Sequence, residues 1–419
     1  MAARLLLPLI LALAAGAAAA GDLAWIPTWF AGPAPVSGEA PQLRNMTIRQ
    51  MVHISAGGKY VRLRLSNAYG HQPLHFDKVS LALRDSGSLI RSGSAAVTFG
   101  GIKGVTVAPG GFAVSDAIPF EAPPGADLAV SLYASGPVEA STAHLVQRSA
   151  IYFADGDAAE TRSLAHPAAA PTTGQSWLWL QEVEVAGSTA KAAIVTFGDS
   201  ITDGVGPAPD TYSTWPDILV RRFASAGIDL GVANAGIGGN RLLHDASWPP
   251  FGEAACVRFD EAVLAQPNIQ AVIVLIGIND IGQVGERVDA RDYVSAAEIE
   301  AGLARLAERA HEKKILVYAG TLLPFRGMPV KGYYSDEKEA ERQAVNAWIR
   351  GTNAFDGVID FDKAMEDPAA PGQLRPAYDS GDHLHPSAEG DRALADAVPL
   401  RWFQGEPAPN TTETNRRPK

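Results

Sequence analysis

From residue 193 onward, apolar runs and helical periodicities alternate along the chain. Residues 194–197 (Ile194, Val195, Thr196, Phe197) are β-branched and aromatic, the signature of a buried strand. Helical spacing follows over about 214–226, then a strand at 230–234, a helix over about 254–265 and a strand at 271–276. In the next helix, 296–312, the apolar residues Ile299, Leu303, Leu306 and Ala310 step by four, three and four, so they share one face. A strand at 315–319, a helix at 336–350 stopped by Gly351, a strand at 358–361 and a helix over about 388–402 complete the series. Alternation of this kind predicts a parallel sheet with helices on both faces.

The first half of the chain has a different period. Residues 59–65 alternate polar and apolar, with Val61, Leu63 and Leu65 on one side, as a half-buried strand requires. Further strand patterns lie at 50–54, 79–83, 95–99, 105–107, 127–133 and 177–185. Gly57-Gly58, Gly100-Gly101, Gly110-Gly111 and Pro123-Pro124 punctuate them. Short strands, turn signals and no helical period predict an all-β, jelly-roll-like sandwich over 24–187. A Gly-Ser-Thr-Ala link at 187–190 separates it from an α/β unit at 191–404. Trp25, Trp29, Tyr60, Tyr69 and Trp177 are read as packing residues; exposed on such a domain, they would bind sugar.

The ends and the charge bound the function. Residues 1–20 place Arg4 ahead of a Leu- and Ala-rich run that closes on Ala18-Ala19-Ala20, a secretory signal peptide. No later stretch is apolar and long enough to span a bilayer. The expectation is a secreted or periplasmic protein with no stable membrane anchor after cleavage, and a polar, disordered tail at 405–419. A net charge of −11 with no basic stripe argues against a nucleic-acid partner. Cys256 is the single cysteine, which rules out an intrachain disulfide and a cysteine metal site. Flanked by Ala254, Ala255 and Val257, it reads as a small buried hydrophobe. Oligomeric state leaves no trace in the pattern.

The chemistry gathers where the predicted strands end. Gly198-Asp199-Ser200 follows the first strand of the α/β unit. Asn234-Ala235-Gly236-Ile237-Gly238-Gly239-Asn240 follows the second, and Gly277-Ile278-Asn279-Asp280 the third. Near the C-terminus lies Asp382-His383-Leu384-His385-Pro386. Open α/β sheets bind ligands at the carboxyl ends of their strands. A hydrolytic serine needs a base and a carboxylate to orient that base, which His385 and Asp382 can supply from one loop. The oxyanion needs fixed donors, for which the Ser200 and Gly239 N–H groups and the Asn279 amide are suited.

These four blocks, in this order and spacing, resemble the SGNH (GDSL) hydrolase superfamily over residues 193–403. The resemblance implies a flavodoxin-like three-layer α/β/α fold and an esterase mechanism without a Gly-X-Ser-X-Gly elbow, which this chain lacks. It implies Ser200 as nucleophile, Gly239 and Asn279 as oxyanion donors, and His385 as base with Asp382 its partner. Gly239 is preferred to Gly238 because the family's glycine stands five residues after the Asn of its block, as Gly239 does after Asn234. The stretches 43–50 and 64–70 resemble secreted bacterial GDSL proteins that carry a β-sandwich ahead of the hydrolase domain.

Other residues have plainer readings. Asp199 holds its turn and Asp280 braces the Asn279 loop. His383 beside Asp382 and His385 lacks the helical frame of a zinc site, so no metal and no cofactor is expected. Arg241 contacts substrate or is a surface charge. The loop 236–240 lacks the last glycine of a dinucleotide fingerprint and the lysine of a P-loop. His53, His71, His75, His144, His244 and His311 are read as structural or solvated. The expected activity is a serine esterase acting on short acyl, foremost acetyl, esters of a small molecule or polysaccharide. The alternatives are a lipase or arylesterase, an acyltransferase, and a glycan-binding protein with an idle hydrolase domain.

Overall fold

The structure is a computed structural model and describes residues 23–146, 148–164, 177–285, 292–406 and 408. The signal-peptide reading lies outside the described residues, as does nearly all of the predicted tail.

The first half is strand-rich, and among the described residues no helix precedes Ser200. One sheet joins Ile26–Phe30, Leu180–Ala186 and Gly58–Ser66, with Phe112–Val114 and Ile118–Ala122 paired to the last. A second runs Ile151–Asp155, Gln42–His53, Asp127–Glu139, Lys78–Ser86, with Leu89–Ile90 and Ala95–Val97 on Lys78–Ser86. Val61, Leu63 and Leu65 are fully buried, as their alternation predicts. The pairing of Gln42–His53 with Asp127–Glu139 runs well past the stretches that alternate cleanly. A bulge between Ala134 and Pro137 explains the difference, since it breaks the two-residue period without ending the strand. Trp25, Trp29 and Trp177 are buried, so none of them is an exposed sugar platform.

The second half is built on five parallel strands, labelled in chain order β1 (Ala193–Gly198), β2 (Gly231–Gly236), β3 (Ile269–Leu275), β4 (Leu316–Gly320) and β5 (Gly357–Ile359). Their spatial order is β2-β1-β3-β4-β5, so the winding reverses at β1. Ligand crevices of doubly wound sheets open at such a reversal. The helices are α1 (Ser200–Asp203), α2 (Trp215–Ser225), α3 (Ala255–Phe259), α4 (Ile278–Gly282), α5 (Ala296–Glu312), α6 (Asp336–Gly351), α7 (Phe361–Met365) and α8 (Ala388–Ala397). Helix α2 packs on α8, which also meets α7; α5 packs on α6 and α3. Capping boxes start two of them: Thr214 with Asp217 at α2, and Ser295 with Glu298 at α5.

Two predicted helices are altered. The one at 254–265 is α for its first turn and then π-helical over Asp260–Leu264, an irregularity that apolar spacing does not reveal. The last stops at Ala397 because Pro399 cannot continue it, and a 3₁₀ turn, Leu400–Phe403, follows.

The two halves share one continuous apolar core. Strand Ile26–Phe30 packs beside β2. There Ser55 Oγ accepts the Val232 N–H at 2.8 Å, and Asn268 Nδ2 donates to the Trp25 carbonyl at 2.9 Å. The exposed edge of β2 is thus covered by the first half. Among the described residues no helix is long and apolar enough to cross a membrane.

Candidate active site

Ser200 is the first residue of α1, directly after β1. Asp199 caps that short helix, its carboxylate accepting the Ile201 N–H at 3.1 Å. Cap and strand end together fix the serine backbone. The Ser200 Oγ lies 2.8 Å from His385 Nε2, and His385 Nδ1 lies 2.5 Å from Asp382 Oδ2. The other Asp382 oxygen accepts the N–H groups of Leu384 at 3.0 Å and His385 at 2.8 Å. Burial pushes the Asp382 carboxyl up, but the hydrogen bond and charge of His385 and these N–H groups outweigh it. They hold Asp382 well below the usual carboxylate range. A carboxylate can only accept, so Nδ1 carries the proton and the Nε2 lone pair faces the serine hydroxyl.

The anion-binding side comes from three neighbouring strand ends. The N–H groups of Ser200 and Gly239 have no acceptor among the described residues. The Gly238 N–H is already taken, donating to Asp203 Oδ2 at 2.8 Å. Of the two glycines, Gly239 is therefore the one with a donor to offer. Its φ of +75° favours glycine, and a Cβ there would lie 2.3 Å from the Phe251 ring. The Gly239 carbonyl is held by Gln283 Nε2 at 2.8 Å. Asn279, in α4, is oriented from both ends of its amide. Its Oδ1 accepts from Gln283 Nε2 and from the Tyr333 hydroxyl, each at 2.9 Å, and its Nδ2 donates to the Asn240 carbonyl at 3.0 Å. One Nδ2 hydrogen remains for a ligand.

These features meet at the strand ends where the winding reverses, and the family model for GDSL-like lipase/acylhydrolases matches residues 196–393. Those residues form a carboxylic ester hydrolase domain of the SGNH (GDSL) superfamily. Among solved structures, an acetylxylan esterase from Geobacillus stearothermophilus is similar at 24% identity, over 52% of this chain and 96% of that one, with a TM-score of 0.39. A GDSL-like lipase from Bacteroides thetaiotaomicron is similar at 20% identity, over 51% and 87%, with a TM-score of 0.36. No curated protein matches the chain.

The GDSL domain contains a brace that its sequence does not announce. Arg258, buried next to α3's end, donates to the Gly198 carbonyl at 2.8 Å, the Ala235 carbonyl at 2.7 Å and Asn240 Oδ1 at 2.8 Å. It stacks on Phe197 at 4.2 Å. One guanidinium thereby ties the ends of β1 and β2 to the Gly239 loop. Burial lowers its pKa to about 9. Nothing in a lone arginine of a helical stretch separates it from a solvated one.

Other expectations are sharpened or corrected. Asp280 accepts the N–H groups of Leu242 at 2.6 Å and Leu243 at 3.2 Å, so it braces the loop after β2 from the Asn279 helix. Arg241 is neither a surface charge nor open to substrate: it is buried and donates to the Asp292 carbonyl at 2.7 Å. His383 turns to Asp379, at 2.5 Å, rather than to Asp382 or His385. Cys256 is only half-buried. His144 is buried rather than solvated, and it contacts Asp203 of the GDSL domain.

Proposed function

We propose that this GDSL domain works as a serine esterase through an acyl-enzyme on Ser200, and that its substrates are short acyl, foremost acetyl, esters of carbohydrates. The observation that carries the reading is the continuous Asp382–His385–Ser200 chain, with contacts of 2.5 and 2.8 Å. In the first step Ser200 Oγ attacks the ester carbonyl while its proton passes to His385 Nε2. Asp382 stabilises the imidazolium that forms. The Ser200 and Gly239 N–H groups and the free Asn279 N–H receive the oxyanion. The tetrahedral intermediate collapses, and His385 returns its proton to the departing alkoxide oxygen. A water then loses its proton to His385 and attacks the acyl-enzyme, which releases the carboxylic acid and restores Ser200. The sequence of steps balances without a metal or cofactor.

A sugar as the alcohol part is supported by the rim of the site. The Phe251 ring lies against Gly239, and Trp248 meets Phe251 edge-on at 4.8 Å. Trp248 is 41% exposed, and its indole N–H reaches Ser37 Oγ at 3.1 Å, so the ring is both open and held. An exposed, oriented indole beside an oxyanion loop suits stacking on a sugar face. We take the chain as an exported protein whose signal peptide is removed. Its domains are a β-sandwich at 24–187 and a three-layer α/β/α hydrolase at 191–404.

The test compares the protein with its Ser200→Ala and Trp248→Ala variants on p-nitrophenyl acetate, longer-chain p-nitrophenyl esters and acetylated xylan. Ser200→Ala is expected to abolish turnover on all of them. Trp248→Ala is expected to raise KM on acetylated xylan while sparing p-nitrophenyl acetate. A preference for long chains with no action on xylan would favour a lipase. Glycan binding by an inert wild-type protein would favour the binding-protein reading.

A further inference from the structure

We propose that the strand-rich first half is a working part of the esterase site: His144 and Arg148 hold Asp203, and Asp203 holds the loop that presents the Gly239 N–H. The inference rests on the esterase reading above and adds positioning residues to it.

Asp203 closes α1, three residues after Ser200, and its side chain is completely buried. Its two oxygens face different partners. Oδ2 accepts the Gly238 N–H at 2.8 Å. Oδ1 meets His144 Nε2 at 2.8 Å and pairs with Arg148 Nε at 3.2 Å. Both partners belong to the first half. His144 is itself fixed from the far side, because its Nδ1 lies 3.0 Å from the Gly32 carbonyl oxygen. Both of its ring nitrogens therefore face acceptors, and the imidazole cannot turn without losing one.

The same segment rests on the oxyanion loop through carbon as well. A Cβ on Gly238 would lie 3.0 Å from the Val146 side chain, so Val146 covers that glycine. Beyond it, the Arg148 carbonyl accepts the Asp210 N–H at 2.9 Å, and Ser149 Oγ donates to Asp210 at 2.8 Å. Arg148 stacks over Trp177 at 4.9 Å. Two points of the hydrolase domain, the turn after β2 and the loop after α1, are thus fastened to one strap of the first half.

The electrostatics explain why this matters for catalysis. A fully buried carboxylate is tolerated only when it is paired and hydrogen-bonded. With His144 and Arg148 removed, Asp203 Oδ1 would lose both partners and the carboxylate would be free to shift, so its bond to Gly238 would weaken. Gly238 is one peptide away from Gly239, so a change in the Gly238 plane redirects the next N–H. That N–H acts on the oxyanion and hardly on the ground-state ester, so the loss should fall on kcat rather than KM.

The experiment uses the full chain and the variants His144→Ala, Asp203→Ala and their double. Three readouts are taken: turnover of p-nitrophenyl acetate, thermal melting, and inhibition by phenylboronic acid, which forms a tetrahedral adduct on Ser200. The expected result is a fall in kcat of about tenfold to a hundredfold with KM little changed, less than the roughly hundredfold to thousandfold cost of removing an oxyanion donor outright. The boronate Ki should rise in the same proportion as kcat falls. The double variant should be no worse than Asp203→Ala alone, because the residues act as one unit. Folded variants that keep the wild-type kcat, or that lose kcat with unchanged boronate affinity, overturn the inference. If the alanine variants do not fold, His144→Gln and Arg148→Lys decide it: a smaller, matched loss of kcat and boronate affinity supports it, and unchanged values overturn it. An inert wild-type protein would instead overturn the esterase reading itself.

Discussion

The side-chain amide of Asn279 is anchored at three points and has one hydrogen left to give. If that hydrogen serves the oxyanion, Asn279→Ala should lower kcat by roughly two to three orders of magnitude with a much smaller change in KM, measured on p-nitrophenyl acetate. A variant that loses affinity but not kcat would place Asn279 in ground-state binding instead. At this scale most of the residues that the structure brings together in the candidate site are readable from the chain, and the reason is local. Ser200, Gly239 and Asn279 stand just after apolar runs, where polar or glycine residues break a buried strand. Asp382 and His385 stand three apart in one loop, a spacing that suits a shared hydrogen bond. Arg258, Asp203 and His144 were not readable as site residues. Their roles depend on contacts across 59 residues for His144 with Asp203 and 60 for Arg258 with Gly198, and no local period reports such pairs.

Among the elements, the α2–α8 contact carries a titratable group that has no part in the chemistry. Asp391 of α8 is fully buried and accepts the Trp215 N–H at the start of α2, at 2.9 Å. Burial raises its pKa to about 8, against the pull of that hydrogen bond. The folded state therefore holds a proton on Asp391 that the unfolded chain releases near the ordinary carboxylate pKa. Its contribution to stability is full below that ordinary value and is lost as pH rises towards about 8. Asp391→Asn keeps the acceptor and removes the titration. Its melting temperature should match the wild type below about pH 4 and exceed it by a margin that grows as pH rises towards about 8. A variant that melts lower across that range would show that the carboxyl itself is needed. The element pattern predicted all five parallel strands and their order of alternation with helices, since buried strands and amphipathic helices have different periods. It did not predict the π-helical turn at Asp260–Leu264, where hydrogen-bond register changes while apolar spacing does not.

For the whole molecule, the alternating pattern after residue 193 and the strand pattern before it suggest separable parts, whereas the structure packs both around one core. Ile26–Phe30 covers β2, and Arg64 of the first half reaches Glu261 of the second at 2.9 Å. Production of residues 191–404 alone should yield a piece that aggregates or melts well below the full chain, because it exposes that edge and the apolar surface around it. A soluble piece with wild-type melting and turnover would contradict both this account of the interface and the role given to His144 and Arg148. Covalent chemistry at Ser200 can be read out by rapid mixing with p-nitrophenyl acetate, acid quench and peptide mass analysis. One added acetyl group is expected on the peptide containing Ser200, formed in a burst with p-nitrophenol and absent from Ser200→Ala. Turnover that persists in Ser200→Ala, or an acetyl group that accumulates on a different peptide, would contradict an acyl-enzyme on Ser200.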